Sequence, residues 1–168
     1  MSFMRKVIAE ISARHVHLSQ VDMDKLFGRN YKFKKLKDLS QPGEFATEET
    51  LLLKGPKDSL RVRIVAPARK RTQIELAASD CYKLGIKPVL RVSGNHQGTN
   101  TSVYLQGPRA KLHITKGVIV PWRHLHISAS QAKSWGLKAG QKIKATIKGD
   151  RAVVLNNIVV RIGPFKAN

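Results

Sequence analysis

Short runs of alternating apolar and polar residues, each closed by turn chemistry, leave this chain little choice of fold class. Alternating or β-rich segments occupy residues 6–11, 50–53, 60–65, 72–76, 89–92, 102–105, 111–114, 118–120, 142–147 and 152–162. Period-2 alternation marks a strand with one buried face. Between the runs stand Gln41-Pro42-Gly43, Gly55-Pro56, Gly107-Pro108 and Gly149-Asp150, where proline presets φ and glycine allows the positive φ of a tight turn. Helical signals are few and short. A serine cap, some helix formers and a closing glycine recur at residues 19–28, 79–85 and 128–136. A mainly β chain of barrel or sandwich type, plugged by short helices, is expected.

With 168 residues, 42% of them hydrophobic, folding buries roughly 70% of the unfolded surface, enough for a real core. No run reaches the ~20 apolar residues of a membrane-spanning helix. The first residues lack the apolar stretch of a secretory signal. Cys81 is the only cysteine, which excludes an internal disulfide and a cysteine-based zinc finger; a reducing cytosol is the expected compartment. Lys and Arg number 31 against 11 Asp and Glu, a net charge of +20. Such an excess attracts nucleic acid, anionic membrane or phosphorylated small molecules. The cations are spread over Lys32, Lys34, Lys35, Lys37, Arg61, Arg63, Arg69, Lys70 and Arg71, and some alternate with Leu60, Val62 and Ile64 on the wet face of a strand.

The chain repeats itself. RHVHLS at residues 14–19 returns as RHLHIS at 123–128, each followed by a helix ending in glycine, and ELAAS at 75–79 is a degenerate third copy. Aligned on the capping serine, His15, Glu75 and His124 fall at one place. LKGPKDSLRV at 53–62 echoes LQGPRAKLHI at 105–114. The expectation is a pseudo-symmetric molecule of two related lobes with equivalent strand ends converging.

Four of the six histidines form two His-x-His pairs, His15/His17 and His124/His126. Residues i and i+2 of a strand share a face, so each pair offers two imidazoles to one metal, and neutral imidazole suits zinc and other late first-row ions. Glu75, the carboxylate between Ile74 and Leu76, is a candidate third ligand for one pair. Arg14 and Arg123 read as outer partners of the pairs or as surface charge, and His96 and His113 as surface or packing residues. Cys81 reads as helix packing.

The stretches ISARHVHLS, LSQPGEFATEET, VAPARKRTQIELAASDCYKLGIKPVLRVSGN, LQGPRAKLHITKGVIVPWRHLHIS and GLKAGQKI resemble, in order and over nearly the whole chain, the PduL-type phosphate propanoyltransferase (phosphotransacylase) family. The resemblance implies two β-barrel lobes capped by short helices, with the active site between them. One barrel would comprise residues 1–13 and 122–168, the other residues 14–121 with a small insertion at about 28–48. It implies zinc-dependent, reversible transfer of a short acyl group, propanoyl or acetyl, between coenzyme A and orthophosphate. His15, His17 and Glu75 would hold one zinc, and His124 and His126 the second. Arg69 would hold phosphate as a catalytic residue, with Ser12 and Ser93 lining its pocket. It also implies a homodimer.

Two departures stand out. The family pattern continues into a segment His-x-Asp-Thr-Asp-Glu-Ala-Asn whose histidine is the second zinc's third ligand, whereas this chain reads RIGPFKAN to Asn168; the second site is left with water, His96 or His113 as substitute. Glu44 stands where members commonly carry glutamine, and repels phosphate unless it is paired or turned away. Microcompartment members carry an N-terminal extension, for which the first His pair at residue 15 leaves no room, so free cytosol is expected. The alternatives weighed are a catalytically impaired relative binding nucleic acid through its basic surface, and a zinc hydrolase. The first rests on charge, with 6% aromatic residues and no base-stacking motif; the second lacks a well-placed second carboxylate.

Overall fold

The computed structural model describes residues 5–165. In chain order its strands are β1 (His15–His17), β2 (Lys35–Asp38), β3 (Phe45–Lys54), β4 (Ser59–Ala66), β5 (Gln73–Glu75), β6 (Leu90–Arg91), β7 (Val103–Gln106), β8 (Lys111–Ile114), β9 (Val118–Pro121), β10 (His124–Ile127), β11 (Lys142–Ile147) and β12 (Val153–Ile162). Three helices join them: α1 (Gln20–Phe27), α2 (Ala78–Leu84) and α3 (Ala129–Trp135). The protein is mainly β, as the alternation requires. Residues 6–11 are the exception. They form no strand, and Ile8 and Ile11 stand 72% and 99% exposed, because alternation makes a strand only where a neighbour supplies the ladder. No helix among the described residues is long and apolar enough to cross a membrane.

Contacts divide the chain into two units, one of Ala13–Leu39 and Gly43–Pro121, the other of Met1–Ser12, Ser40–Pro42 and Trp122–Asn168. The first holds a nine-stranded sheet in the order β6-β9-β5-β1-β4-β3-β7-β8, with β2 added to β3. Its path is open, with β6 and β8 at the ends. Val16, Ile64 and Ile74, on the three central strands, are buried in one apolar cluster with Leu26, Leu53, Leu84 and Leu105. Each such side chain is worth ~1.5–3 kcal/mol, against ~0.5–1.5 for a net hydrogen bond. Burial of Val16 therefore reinforces the register that the pairing of β1 with β4 and β5 sets.

The LKGP/LQGP echo is a structural repeat inside this one unit, so it does not relate two lobes. In the β3–β4 hairpin the Gly55 N–H donates to Asp58 O at 2.9 Å, and the Lys57 N–H donates to Leu84 O at 3.1 Å, sealing the end of α2. In the β7–β8 hairpin Gly107 donates to Ala110 O at 2.9 Å, and Arg109 to Leu26 O at 3.1 Å, sealing α1. Each turn thus satisfies a helix carbonyl that would otherwise lack a partner.

The other unit carries a three-stranded sheet, β10-β12-β11. β10 pairs parallel with β12, and Leu125, Ile127, Ala132, Ile158 and Val160 form its core.

Serines cap two helices. Ser19 accepts from the Asp22 N–H at 3.2 Å, and Ser128 from the Gln131 N–H at 3.1 Å. The second helix starts two residues earlier than the serine signal indicates, with Ala77 at the cap position instead of Ser79. Asp80 explains this: its Oδ2 accepts from the Ala77 N–H at 3.2 Å, and Arg14 grips Oδ1 through Nε at 3.1 Å and Nη2 at 2.9 Å. An aspartate in the first turn, held by an arginine, replaces the capping serine. The shift moves the third repeat by two places. Glu75 corresponds to His17 and His126, and Gln73 to His15 and His124.

Candidate active site

β5 runs antiparallel to β1 with His15 opposite Glu75, Val16 opposite Ile74 and His17 opposite Gln73. Since Val16 and Ile74 face the core, the two imidazoles, the carboxylate and the amide emerge together on the other face. The ligand atoms of His15, His17 and Glu75 lie within 4.8 Å of one another, and the two rings meet edge to face at 4.9 Å. His15 Nδ1 lies 2.8 Å from Ala13 O. A carbonyl only accepts, so Nδ1 carries the proton and Nε2, 3.7 Å from Glu75 Oε2, presents its lone pair. His17 is 2% exposed and its Nδ1 has no hydrogen-bond partner. Burial, then the Arg69 guanidinium, then His15 push its pKa from 6.5 down to about 2, against the opposing effect of a hydrogen bond from the ring to the Val65 backbone carbonyl, so the ring is neutral at physiological pH. An unpartnered buried nitrogen is costly. A divalent ion fits these donors and relieves that cost.

Glu75 is steadied from behind. Its Oε1 accepts from Gln73 Nε2 and from Ser93 Oγ, both at 2.7 Å, which leaves Oε2 for the histidine side. Gln73, 2% exposed, also donates to Ser93 Oγ at 2.8 Å, while its Oε1 accepts from the Gly94 N–H at 2.8 Å and His96 Nε2 at 3.0 Å. Every polar atom of the amide is used, and a flipped amide would face oxygen against carboxylate. Sequence reasoning missed Gln73 and His96. The available signal for Gln73 was its i−2 spacing from Glu75, the same spacing as the histidine pairs. Gln73→Leu is expected to weaken divalent-metal binding roughly ten- to a hundredfold with the metal-free fold retained, measured by metal titration alongside circular dichroism; unchanged affinity would reduce the network to packing.

Arg69 lies beside this group. Its N–H donates to Leu18 O at 2.8 Å and its Nη2 pairs with Glu44 Oε1 at 2.6 Å. A recess of about 180 Å³ is lined by Arg69, Lys70, Arg71, Gln73, Gly94 and His96, three cations without a carboxylate on its wall. Burial and then Arg71 lower the pKa of His96. Such a recess suits a small polyvalent anion.

His124 and His126 sit on β10 in the other unit, rings 4.6 Å apart. His124 Nδ1 donates to Trp122 O at 2.7 Å, repeating the tautomer-fixing contact of His15. Among the described residues no third His, Cys, Asp or Glu joins this pair; the Phe165 ring packs 4.4 Å from His126. Of the substitutes considered, His96 serves Gln73, and His113 stacks on Tyr104 at 4.7 Å. Ser12 is exposed, outside any regular element. Cys81 is buried, and burial followed by Asp80 raises its pKa to about 11, which removes it as a nucleophile.

The model of the phosphate propanoyltransferase family matches residues 8–167. Curated phosphate propanoyltransferases align along most of the chain. The protein of Thermotoga maritima is 37% identical over 158 residues, covering 93% of this chain and 75% of the relative. That of Rhodopseudomonas palustris is 40% identical over 97% of this chain and 72% of its own. That of Escherichia fergusonii is 43% identical over 95% and 76%. The motif order, the His–Glu group and these matches have one reading: the chain belongs to the phosphate propanoyltransferase family, a family of acyltransferase enzymes.

Proposed function

We propose that the protein transfers a short acyl group, propanoyl or acetyl, reversibly between coenzyme A and orthophosphate, with zinc as its metal. The observation that carries the reading is the adjacency, in one unit, of the His15/His17/Glu75 donors and the basic recess at Arg69, joined through Gln73 and Ser93. His15, His17 and Glu75 hold one zinc, and His124 and His126 contribute to a second. A zinc ion held there would supply Lewis-acid stabilisation of a thiolate leaving group, by lowering the pKa of the corresponding thiol. Arg69 pins phosphate and offsets its charge, helped by Lys70 and Arg71. Ser93 steadies Glu75 and borders the phosphate; for Ser12 the family resemblance is the sole support for a phosphate-binding role. A phosphate oxygen attacks the acyl carbon, the C–S bond breaks with its electron pair going to sulfur, and the thiolate takes up the proton that hydrogen phosphate gives up. Transfer is direct, because Cys81 is buried with a raised pKa and no Ser–His–Asp relay stands in this unit.

The family resemblance further supports two barrels, a homodimer and a cytosolic location, the last fitting a lone buried thiol. The nucleic-acid reading draws on net charge alone, and nothing in the site favours it. The experiment is phosphate-dependent release of free thiol from propanoyl-coenzyme A, followed with a thiol reagent. Chelation is expected to abolish it and zinc to restore it. Protein that takes up no metal at excess zinc sinks the reading.

A further inference from the structure

We infer that Glu44 is a built-in rival of phosphate for Arg69, and so sets how tightly the site holds that anion. The inference rests on the proposed role of Arg69. Glu44 Oε1 lies 2.6 Å from Arg69 Nη2, with the two side chains 20% and 32% exposed, so the contact is sheltered enough to matter and open enough to exchange. Both backbones are fixed independently of it. The Leu39 N–H donates to Glu44 O at 3.1 Å, and the Arg69 N–H to Leu18 O at 2.8 Å. Exchange therefore needs only side-chain rotation, on a fast timescale. Arg69 is the lining cation of the recess with a carboxylate partner, whereas Lys70 and Arg71 are exposed and in no ion pair among the described residues.

The consequence is electrostatic. While the pair persists, Arg69 offers the recess little net charge. A phosphate dianion must displace the carboxylate or bind beside it and meet its repulsion. Replacing Glu44 by glutamine keeps an acceptor oxygen for the guanidinium and removes the competing charge.

The test is the orthophosphate dissociation constant of the zinc-loaded protein, from calorimetry and phosphorus NMR titration, for wild type, Glu44→Gln, Glu44→Ala, Glu44→Asp and Arg69→Gln. Glu44→Gln and Glu44→Ala are expected to bind phosphate about tenfold more tightly. Glu44→Asp, which keeps the charge, should not. The phosphate KM should fall in parallel while the KM for propanoyl-coenzyme A stays put. Unchanged or weaker phosphate binding in both neutral variants overturns the inference, as does binding indifferent to Arg69→Gln. Absence of thiol release with the binding pattern intact rejects the acyltransferase reading and leaves Glu44 in its role.

Discussion

Glu75→Gln should abolish divalent-metal uptake and the proposed phosphate-dependent thiol release while leaving the fold in place. The substitution keeps the side chain's volume and an oxygen able to accept from Gln73 and Ser93. It removes the charge that, with His15 and His17, makes a divalent ion worth desolvating. Two imidazoles remain. Metal affinity is expected to fall at least about a hundredfold, with thiol release lost in step. The checks are metal content after dialysis, the thiol-release rate, and a melting curve in chelator that stays close to wild type. His113→Ala, in a ring stacked on Tyr104 and outside the donor group, serves as the histidine control. A Glu75→Gln protein that keeps its metal would remove the carboxylate from the centre.

The largest effect on stability is expected at a residue with no chemistry at all. A Cβ on Gly55 would stand 2.3 Å from Leu84 O and 2.8 Å from Leu84 Cβ, so the hairpin turn has to retreat from α2 and give up the Lys57–Leu84 hydrogen bond. Gly55→Ala should cost ~2–4 kcal/mol and lower the melting temperature by roughly 5–15 °C. The duplicated turn supplies its own comparison. A Cβ on Gly107 would meet Leu26 atoms at 3.1 Å, a contact relieved by a few tenths of an ångström, and Gly107→Ala should cost about 1 kcal/mol. Thermal denaturation of the two variants side by side decides the matter; equal losses would mean that the turns are not docked on the helices as described.

What the sequence disclosed follows from what is local in it. Alternation marked most of the strands, and His-x-His spacing implied two rings on one face. Glu75 was visible as a carboxylate inside an apolar strand. Pairing partners are not local, and the misreadings cluster there. Residues 6–11 alternate yet pair with no strand among the described residues. Ser79 looks like a cap, but Asp80 held by Arg14 does the capping, and this moves the repeat by two residues and brings Gln73 into it. The role of His96 depends on a turn at Gly94, φ 94°, that folds residues 93–96 back onto β5; no pattern within that loop announces it. Glu44 was recognisable as an oddity beside phosphate. That it pairs with Arg69 is a matter of side chains 25 residues apart.

The donors His15, His17 and Glu75 ride on neighbouring rungs of one ladder whose reverse side, Val16 and Ile74, is locked in the interior. Their spacing is thus inherited from the backbone and not assembled by the ion, in contrast to small zinc modules that collapse without it. Such a scaffold can be emptied and refilled repeatedly without passing through an unfolded chain. On the zinc reading proposed above, supply of the ion, and not synthesis of fresh polypeptide, would then govern how many molecules are competent at any moment.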